Sequence, residues 1–457
     1  MQTTSDLSRR DALKAGAALI SAPALVAVHA ASDPVKFGSI GLGVYGTYLL
    51  AHLAQFEAGR CVALCDVNQA AMDRAGQSLT TNPKKYKVYR NLLADTNVAA
   101  VVIATPLHLH FQMTRDALLA GKHVYCENSL VFKADEVHAL RALAAEHGKQ
   151  VLQVGLQRRY SSYFQAVKKM IDSGVLGTVT HIQAQWHRNP GWTMKAGGKD
   201  NPKNWRLFRE YSAGLTAELA AHHIDAANWF FGANPEFVVG VGGLDYHKDG
   251  RDVFDNIQLI YSYPGGRKLT YSAISTCQHL PMLSSQRPQE GLVVMGTAGA
   301  VELTFGVNDA PPTALWFREP DARATNGSPA RGMPIMTPLT EVDWNNDSFL
   351  SRETKAARFW LYEKGLMLAQ EEGNPIDAQM QSFLSDVRTD GRPRADLEVG
   401  LAASTAAILS NLAMDENRRV FFREMETLGV AAPVSSIPVN PPPQKPAPNT
   451  PKPPIEP

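Results

Sequence analysis

The sequence predicts two domains: an α/β domain with a doubly wound parallel sheet, then an α+β domain with an open, mainly antiparallel sheet. Three observations lead to this fold class. Strands and helices alternate through the first third of the chain, a glycine-rich turn follows the first strand, and from about residue 178 a run of strands replaces the alternation. Alternation is typical of a parallel sheet covered by helices, whereas successive strands with short links favour an antiparallel sheet.

Short apolar runs that end at turn residues define the strands of the first domain. Five are predicted, over Val35–Ile40, Cys61–Cys65, Ala99–Ala104, His123–Cys126 and Gln150–Val154. Helical patterns connect them, and the last of these patterns ends at about Glu146. Because each strand is nearly continuous in apolar residues, we expect helices to cover both faces of this sheet.

The second domain is predicted from six further strands and one interrupting helix. The strands are Thr178–Trp186, Glu236–Leu244, Phe254–Tyr263, Lys268–Thr276, Leu292–Met295 and Val301–Phe305, and the helix spans about Leu215–Phe231. Residues 306–350 are rich in Pro, Asn, Asp and Arg, which predicts a long excursion. Helical patterns return at Ser351–Glu372, Met380–Thr389 and Leu397–Met414.

The composition excludes several classes of protein. Of the 457 residues 44% are hydrophobic, which is enough for packed cores. The 45 Lys and Arg residues against 44 Asp and Glu residues leave a net charge of +1, so no nucleic-acid partner is predicted. Four cysteines are too few for a disulfide framework, and we expect buried thiols, with a Cys126–Cys277 pair left open. No apolar run reaches the roughly 20 residues of a stable membrane span.

Both ends of the chain are predicted to lie outside the fold. Arg9 and Arg10, the apolar stretch Ala15–Val28 and the small residue Ala30 follow the order of a twin-arginine export signal. Residues 1–30 therefore predict passage through the twin-arginine translocase to the periplasm, and an ordinary N-terminal helix is the alternative. Residues 438–457 contain ten prolines, so 429–457 is predicted to be a disordered tail. The first domain then occupies 33–156 and the second 157–428.

The glycine-rich turn has the spacing of a dinucleotide-binding site. Gly41 permits a tight turn, Gly43 lets the backbone approach a pyrophosphate, and Gly46 lets the helix pack on the strand. Asp66 ends the second strand, where a carboxylate accepts hydrogen bonds from an adenosine ribose and would repel a 2′-phosphate, so NAD is predicted over NADP. A structural turn with a surface acid is the alternative. The predicted contacts of this Rossmann domain are Gly41, Gly43, Val44, Tyr45, Gly46 and Asp66.

Several sequence phrases accompany this turn. They are Thr105-Pro106-Leu107-His108-Leu109-His110, Ala120-Gly121-Lys122-His123-Val124-Tyr125-Cys126-Glu127, and the stretch from Gly214 to Asp225 that contains Glu218 and His222. With them the chain resembles, over most of residues 34–420, the glucose–fructose oxidoreductase, inositol dehydrogenase and rhizopine-catabolism (Gfo/Idh/MocA) family. The resemblance implies a homo-oligomer, a dimer or tetramer joined through the open sheet, and an active site in the cleft between the domains.

The resemblance also implies roles for single residues. Those implied at the cofactor are Thr105, Pro106, His110, Glu127 and Gln157, and those implied at the substrate include Arg159 and Asp225. The family's Glu-Lys-Pro triplet falls on Glu127-Asn128-Ser129, so Asn128 replaces a lysine. An asparagine donates a hydrogen bond but carries no positive charge, and it stabilises a developing alkoxide less well.

The predicted catalytic residues are His222, Glu218 and Asn128. An unperturbed imidazole has a pKa of about 6.5, so near neutral pH it exchanges protons efficiently with a hydroxyl. Glu218 and His222 are four residues apart on one helical face, so the carboxylate is expected to orient the ring. A buried helix with hydrogen-bonded histidines is the alternative. No metal is predicted, because no third ligand has suitable spacing beside Glu218 and His222.

Aromatic and charged side chains precede the predicted catalytic helix. Trp205 and Arg206, with Trp186 and Trp192 nearby, offer ring faces and polar groups that suit a sugar or cyclitol. An ordinary core role is an equal alternative for any one of these aromatic residues.

The favoured function is an NAD(P)-dependent oxidoreductase acting on a hydroxyl of a sugar, cyclitol or glycoside. Because the periplasm lacks a cofactor pool, tightly held NAD is expected. A glycoside hydrolase that uses NAD for transient oxidation is one alternative, and a non-catalytic binding relative is another.

Overall fold

The computed structural model describes residues 33–146, 148–188, 192–276, 290–305, 312–318 and 365–430. The predicted export signal, Cys277 and the proline-rich tail from residue 431 onward lie outside the described residues. So do most of the predicted excursion 306–350 and residues 351–364 of the predicted helix Ser351–Glu372.

Within the described residues, six parallel strands form the sheet of the first domain. The strands are β1 Val35–Ile40, β2 Gly59–Cys65, β3 Lys84–Tyr86, β4 Ala100–Ile103, β5 His123–Cys126 and β6 Leu152–Val154. They lie in the order β3-β2-β1-β4-β5-β6. The helices are α1 Val44–Ala54, α2 Gln69–Gln77, α3 Tyr89–Leu93, α4 His110–Leu119 and α5 Ala134–Glu146, with a 3₁₀ turn at Leu107–Leu109. The predicted doubly wound parallel sheet is confirmed, and only the short, polar edge strand β3 escaped prediction.

Helices cover both faces of this sheet. Val101 and Ile103 of β4 belong to one apolar cluster, whereas Ala100 and Val102 of the same strand belong to another. All four side chains are at most 1% exposed, because successive strand residues point to opposite covered faces. The same burial explains the three described cysteines, Cys61, Cys65 and Cys126, which are free and buried as predicted.

The strand order creates a crevice at the carboxyl ends of β1 and β4. The chain runs outward from β1 to β3, then crosses to the other side of β1 and runs outward again from β4 to β6. Connections leaving β1 and β4 therefore diverge, and ligands of open α/β sheets bind at this switch point. Gly41 directly follows β1, and Thr105 lies two residues after β4.

A mixed sheet forms the second domain. The strands are β7 Val179–Trp186, β8 Phe237–Gly243, β9 Asn256–Ser262, β10 Lys268–Ile274, β11 Glu290–Gly296, β12 Gly299–Thr304, β13 Thr313–Arg318, β14 Gly365–Gln370 and β15 Val420–Phe421. They lie in the order β14-β13-β12-β11-β7-β10-β9-β8-β15. Only the β7–β10 pair in this described sheet is parallel, so the predicted antiparallel character is confirmed.

One predicted element is wrong where the structure describes it. The stretch Gly365–Gln370, expected as the end of a helix over Ser351–Glu372, is strand β14. It pairs antiparallel with β13, as in the Ala314–Ala369 pair. Leu, Met and Ala are good helix formers, but intrinsic propensity is a weak determinant, and pairing with a neighbouring strand overrides it.

Helices cover one face of the mixed sheet and join it to the first domain. The helices are α6 Ser162–Asp172, α7 Ala221–Phe231, α8 Pro375–Thr389 and α9 Leu397–Asp415. A π-helical turn, Thr216–Ala220, precedes α7. The 3₁₀ turns of this part of the chain are Gln157–Tyr160, Gly198–Asp200, Pro202–Leu207, Pro264–Gly266 and Phe422–Glu426. Although α8 follows strand β14 of the second sheet in sequence, its Met380 and Phe383 pack in the core of the first domain with Phe37.

Helix α9 contributes to both cores. Leu401 packs in the first domain and Leu409 in the second. By length and apolar composition α9 could cross a membrane, but 56% of its apolar window is buried inside the protein. We therefore assign its hydrophobicity to the junction of the two domains.

Candidate active site in the cleft between the domains

The glycine turn leaves an open space at the start of α1. Gly41 has a φ of +88°, and a Cβ there would lie 2.6 Å from the Ala104 carbonyl oxygen. A Cβ on Gly46 would lie 2.0 Å from the Gly41 carbonyl oxygen, so both positions require glycine. A Cβ on Gly43, in contrast, would meet no described atom within 4 Å. The chain does not need glycine at 43 for its own packing, which fits the predicted approach of a pyrophosphate.

The first turn of α1 offers backbone donors to that space. Gly43 is the N-cap and supplies no side chain to the free N–H groups of the first turn. Val44 is 95% exposed and Tyr45 39% exposed. A helix start with unpaired N–H groups and a positive dipole end binds phosphate, so the turn fits the phosphates of a dinucleotide.

Asp66 braces the glycine turn from the end of β2. Its Oδ2 accepts the Leu42 N–H at 2.7 Å, and its Oδ1 accepts the Asn68 N–H at 2.8 Å. Each oxygen keeps a second lone pair, so the carboxylate can still accept a hydrogen bond from a ribose hydroxyl. This bracing role was not predicted from the sequence.

His110, predicted at the cofactor, has its polar partners within the chain instead. Its ring is 2% exposed, and both nitrogens face the chain's own backbone: Nδ1 lies 2.8 Å from the Ser129 carbonyl oxygen and Nε2 lies 2.8 Å from the Thr105 carbonyl oxygen. The ring therefore ties the segment after β4, with Thr105 and Pro106, to the segment after β5. Thr105 and Pro106 are half-buried at the crevice, where they were expected.

Glu127 is a buried acid at the end of β5. It accepts the Tyr125 hydroxyl at 2.6 Å and the Asn128 N–H at 3.3 Å. Burial raises the pKa of Glu127 to about 7, although the Tyr125 hydrogen bond and the charge of His110 oppose the shift. A Cβ on Gly155 would lie 2.6 Å from Glu127 Oε2, so the chain leaves room for this carboxyl.

Asn128 joins the first domain to the π-helical turn. Its Nδ2 donates to the Ala217 carbonyl oxygen at 3.0 Å, and the Asn128–Ser129 peptide bond is cis. Its Oδ1 is buried and has no hydrogen-bond partner among the described residues. The side chain therefore presents an acceptor where the resembling family presents an ammonium group.

His222 lies on the second-domain side of this junction. Its ring centroid is 6.0 Å from that of Trp186, and its Nδ1 is buried without a hydrogen-bond partner among the residues described. Burial, and then the charge of Arg158, lower the pKa of His222 to about 3. The imidazole is therefore neutral at physiological pH and can accept a hydrogen bond.

The predicted orientation of His222 by Glu218 is wrong. Glu218 Oε2 accepts the Arg206 Nε–H at 2.9 Å, and Oε1 accepts the Ser212 hydroxyl at 3.0 Å. A guanidinium and a hydroxyl thus bind both carboxylate oxygens. The Arg206 guanidinium also stacks 4.2 Å from the Trp205 ring centroid. Trp205 and Arg206 therefore stand beside the predicted catalytic turn, and Arg206 remains 42% exposed.

Arg159 and Asp225, both predicted at the substrate, bind each other. Arg159 donates to Asp225 through Nε at 3.0 Å and Nη2 at 2.7 Å. The Asp225 side chain is only 2% exposed, so in this structure its partner is Arg159 and it does not face the cleft. The pair joins the turn after β6 to α7. Gln157 opens that turn, is half-buried, and has no side-chain hydrogen bond within the part of the chain described.

The sequence analysis overlooked the residue next to Arg159. Arg158 is 5% exposed at its side chain, forms an ion pair with Glu290, and lies 5.6 Å from the Trp186 ring centroid. His223 is fully buried, with its Nε2 3.7 Å from Glu290 Oε1. Arg158 and Glu290 are 132 positions apart, so no local pattern could have paired them. No group of three or more potential metal-binding side chains occurs in the described ranges.

Two family models match the chain in the order of its domains. "Oxidoreductase family, NAD-binding Rossmann fold" matches residues 35–156, and "GFO/IDH/MocA C-terminal domain" matches residues 164–302. Together they span more than half of the chain.

A curated relative agrees with these matches. The inositol 2-dehydrogenase/D-chiro-inositol 3-dehydrogenase of Lactiplantibacillus plantarum is 31% identical over 199 residues, which are 42% of this chain and 51% of that protein. The chain thus spans about half the length of this relative.

Solved structures share the fold. The aldose-aldose oxidoreductase of Caulobacter crescentus, complexed with glycerol, has a TM-score of 0.64 at 19% identity, covering 85% of this chain and 99% of that one. The scyllo-inositol dehydrogenase of Lactobacillus casei, with bound NAD(H) and scyllo-inositol, has a TM-score of 0.60 at 17% identity and the same coverage. The chain belongs to the Gfo/Idh/MocA oxidoreductase family and carries that family's NAD-binding Rossmann domain.

Proposed function

We propose that the protein oxidises a hydroxyl group of a sugar, cyclitol or glycoside with NAD, and that His222 takes the hydroxyl proton. One observation carries this proposal: the partly exposed His222 ring lies at the domain junction, and its Nδ1 has no hydrogen-bond partner among the described residues. The names of the relatives support the substrate class, because one acts on inositol and another on aldoses.

The chain's own residues divide the work of the reaction. When bound, the nicotinamide of NAD accepts a hydride from carbon. An alcohol loses a hydride readily only as its hydroxyl proton leaves, and His222 is the neutral base that receives this proton. Asn128 holds the segment after β5 against the π-helical turn, because its Nδ2 donates to the Ala217 carbonyl oxygen. Its Oδ1 is buried, so Asn128 acts on the substrate through this positioning and supplies no positive charge.

The export signal predicted over residues 1–30 adds a proposal about the cofactor. A protein exported in folded form by the twin-arginine translocase can carry NAD acquired in the cytoplasm. In the periplasm it would then hold NAD through many turnovers. Acid denaturation of the purified mature protein should release about one nicotinamide per chain. A cofactor-free protein would contradict tight retention, though not hydroxyl oxidation.

The exposed face of the mixed sheet supports the proposed homo-oligomer. Val241 of β8 is 68% exposed and Ile260 of β9 is 45% exposed on this sheet. Apolar side chains on an uncovered sheet face are typical of an interface. A Val241→Lys variant should shift the mass in solution toward the monomer, as measured by light scattering, whereas an unchanged mass would contradict this contact.

A substrate panel tests the proposed reaction. Purified protein with NAD is mixed with aldoses, cyclitols and chromogenic glycosides while the absorbance of the reduced nicotinamide is followed. A Gly43→Val variant, which blocks the cofactor space, controls for contaminating dehydrogenases. Reduction by the wild type alone, with a keto product, supports the proposal. Glycoside cleavage without net reduction favours the redox-assisted hydrolase, and no reaction at all favours a binding relative.

A further inference from the structure

Each of the two ring nitrogens of His110 lies within hydrogen-bond distance of a backbone carbonyl oxygen. Nδ1 lies 2.8 Å from the Ser129 carbonyl oxygen, and Nε2 lies 2.8 Å from the Thr105 carbonyl oxygen. A carbonyl oxygen only accepts hydrogen bonds, so each nitrogen must carry a proton to donate one. A neutral imidazole carries only one such proton. The geometry is therefore that of an imidazolium ion.

A neutral ring would be the less stable state here. It would direct a nitrogen lone pair at a carbonyl oxygen in a site that is only 2% exposed to water. Two charge-assisted hydrogen bonds are stronger than neutral ones. Burial disfavours the charged ring, whereas the Cys126 side chain and the hydrogen bonds to the two carbonyl oxygens favour it and raise the pKa of His110.

Three titratable groups face this ring. Cys126, at the end of β5, is fully buried beside it. The charge of His110 helps to lower the pKa of His108, after burial, and opposes the upward shift of the Glu127 pKa. Below about pH 7 Glu127 is largely protonated, so its carboxyl no longer balances the charge of the imidazolium.

The ring lies behind the cofactor edge of the sheet. Thr105 follows β4 and Ser129 follows β5, so His110 ties together the two segments that leave neighbouring strands at the switch point. Ser129 adjoins Asn128, the residue that stands where the family has a lysine. A cation under these segments acts on the cofactor through low-dielectric protein.

We propose that His110 is a permanent imidazolium behind the cofactor site, and that its fixed charge favours the neutral reduced nicotinamide over the cationic oxidised one. The same charge supplies part of the positive potential that Asn128 lacks. His110 is thus a positioning residue that touches neither cofactor nor substrate. The inference rests on NAD binding by the Rossmann domain and not on the proposed hydroxyl oxidation.

Nitrogen NMR of the full-length protein tests the charge directly. With ¹⁵N-labelled histidine, both His110 ring nitrogens should show protonated, imidazolium shifts between about pH 6 and pH 8. His123 is the matched control in the same sheet, because its Nδ1 accepts the Val151 N–H at 3.0 Å and must keep a lone pair. One unprotonated nitrogen in His110 over this range would overturn the proposal, and this measurement needs no variant.

Cofactor affinities test the consequence. The ratio of the dissociation constants of NAD⁺ and NADH is measured by calorimetry at about pH 6 for the wild type, His110→Gln and the control His123→Gln. Removing the cation should lower this ratio by about tenfold in His110→Gln and leave it unchanged in His123→Gln. A ratio that is equal in all three proteins would overturn the electrostatic role. Because the assay measures binding alone, failure of the hydroxyl oxidation would not affect its outcome.

Discussion

The nucleotide end and the reaction end of the candidate site are built in different ways. At the glycine turn, the groups available to a ligand are backbone N–H groups, and the absence of side chains at Gly41, Gly43 and Gly46 shapes the turn and the space beside it. At the domain junction the predicted catalytic and substrate-binding groups are side chains, and some of them are held by partners outside their own helix, as Arg206 binds Glu218 and Arg159 binds Asp225. The comparison teaches that a local motif can fix a binding site, whereas a reaction site depends on tertiary pairing.

The largest effect is expected at the glycine turn itself. Gly46→Ala forces a Cβ to 2.0 Å from the Gly41 carbonyl oxygen, so this variant should fail to fold or melt far below the wild type. Gly43→Ala meets no described atom within 4 Å, so it should melt like the wild type yet bind NADH at least about tenfold more weakly. Thermal melts and NADH fluorescence titrations measure both. Equal melting temperatures for Gly46→Ala and Gly43→Ala would contradict the different roles assigned to the two glycines.

The buried ion pair should carry the next largest effect. Asp225→Asn leaves the Arg159 guanidinium, 13% exposed, without its counter-charge and should lower the free energy of unfolding by about 3 kcal/mol. Glu398→Gln is the control, since the Arg141–Glu398 pair is about half exposed and should contribute less than about 1 kcal/mol. Urea denaturation compares the two variants. Similar losses of unfolding free energy in the two variants would show that the buried Arg159–Asp225 pair stabilises the protein no more than an exposed pair does.

The smallest effect is a pH dependence that comes from Glu127. Burial raises the pKa of this acid to about 7, above its unfolded value of about 4.3, so the folded state binds the proton more tightly. The resulting stability is complete below about pH 4 and is lost as the pH rises through about 7.

A glutamine substitution isolates this contribution. Glu127→Gln mimics the protonated acid, so the fall in unfolding free energy between about pH 5 and pH 8 should be smaller than in the wild type by about 2 kcal/mol. Urea denaturation at the two pH values measures it. An identical fall in both proteins would mean that Glu127 is ionised throughout the range.

The same division explains what the sequence could predict. The parallel sheet, the glycine turn and the place of Asp66 follow from local spacing, and the structure agrees with them. Glu218 and His222 were expected to pair because they are four residues apart, yet Arg206 and Ser212 bind Glu218 instead. Strand β14 was expected as a helix because local propensity alone was considered. Its hydrogen bonds go to β13, a pairing that local propensity does not reveal.

His110 is the instructive case between the two ends. Its place in the Thr105–His110 phrase indicates the cofactor edge correctly, but a sequence phrase cannot tell a ring that touches the cofactor from one that lies behind it. The position of the ring is set by its hydrogen bonds to the carbonyl oxygens of Thr105 and Ser129, which lie on two different loops.

The most direct test of the account separates binding from reaction at His222. Cofactor-free samples of wild type and His222→Gln are each titrated with NADH, and separate samples loaded with NAD are mixed with a substrate from the panel while the reduced nicotinamide is followed in a single turnover. The account predicts NADH dissociation constants within about twofold and hydride transfer at least about 100-fold slower in the variant. An exposed-histidine control, His181→Gln, should match the wild type in both. Unchanged hydride transfer in His222→Gln would contradict the account.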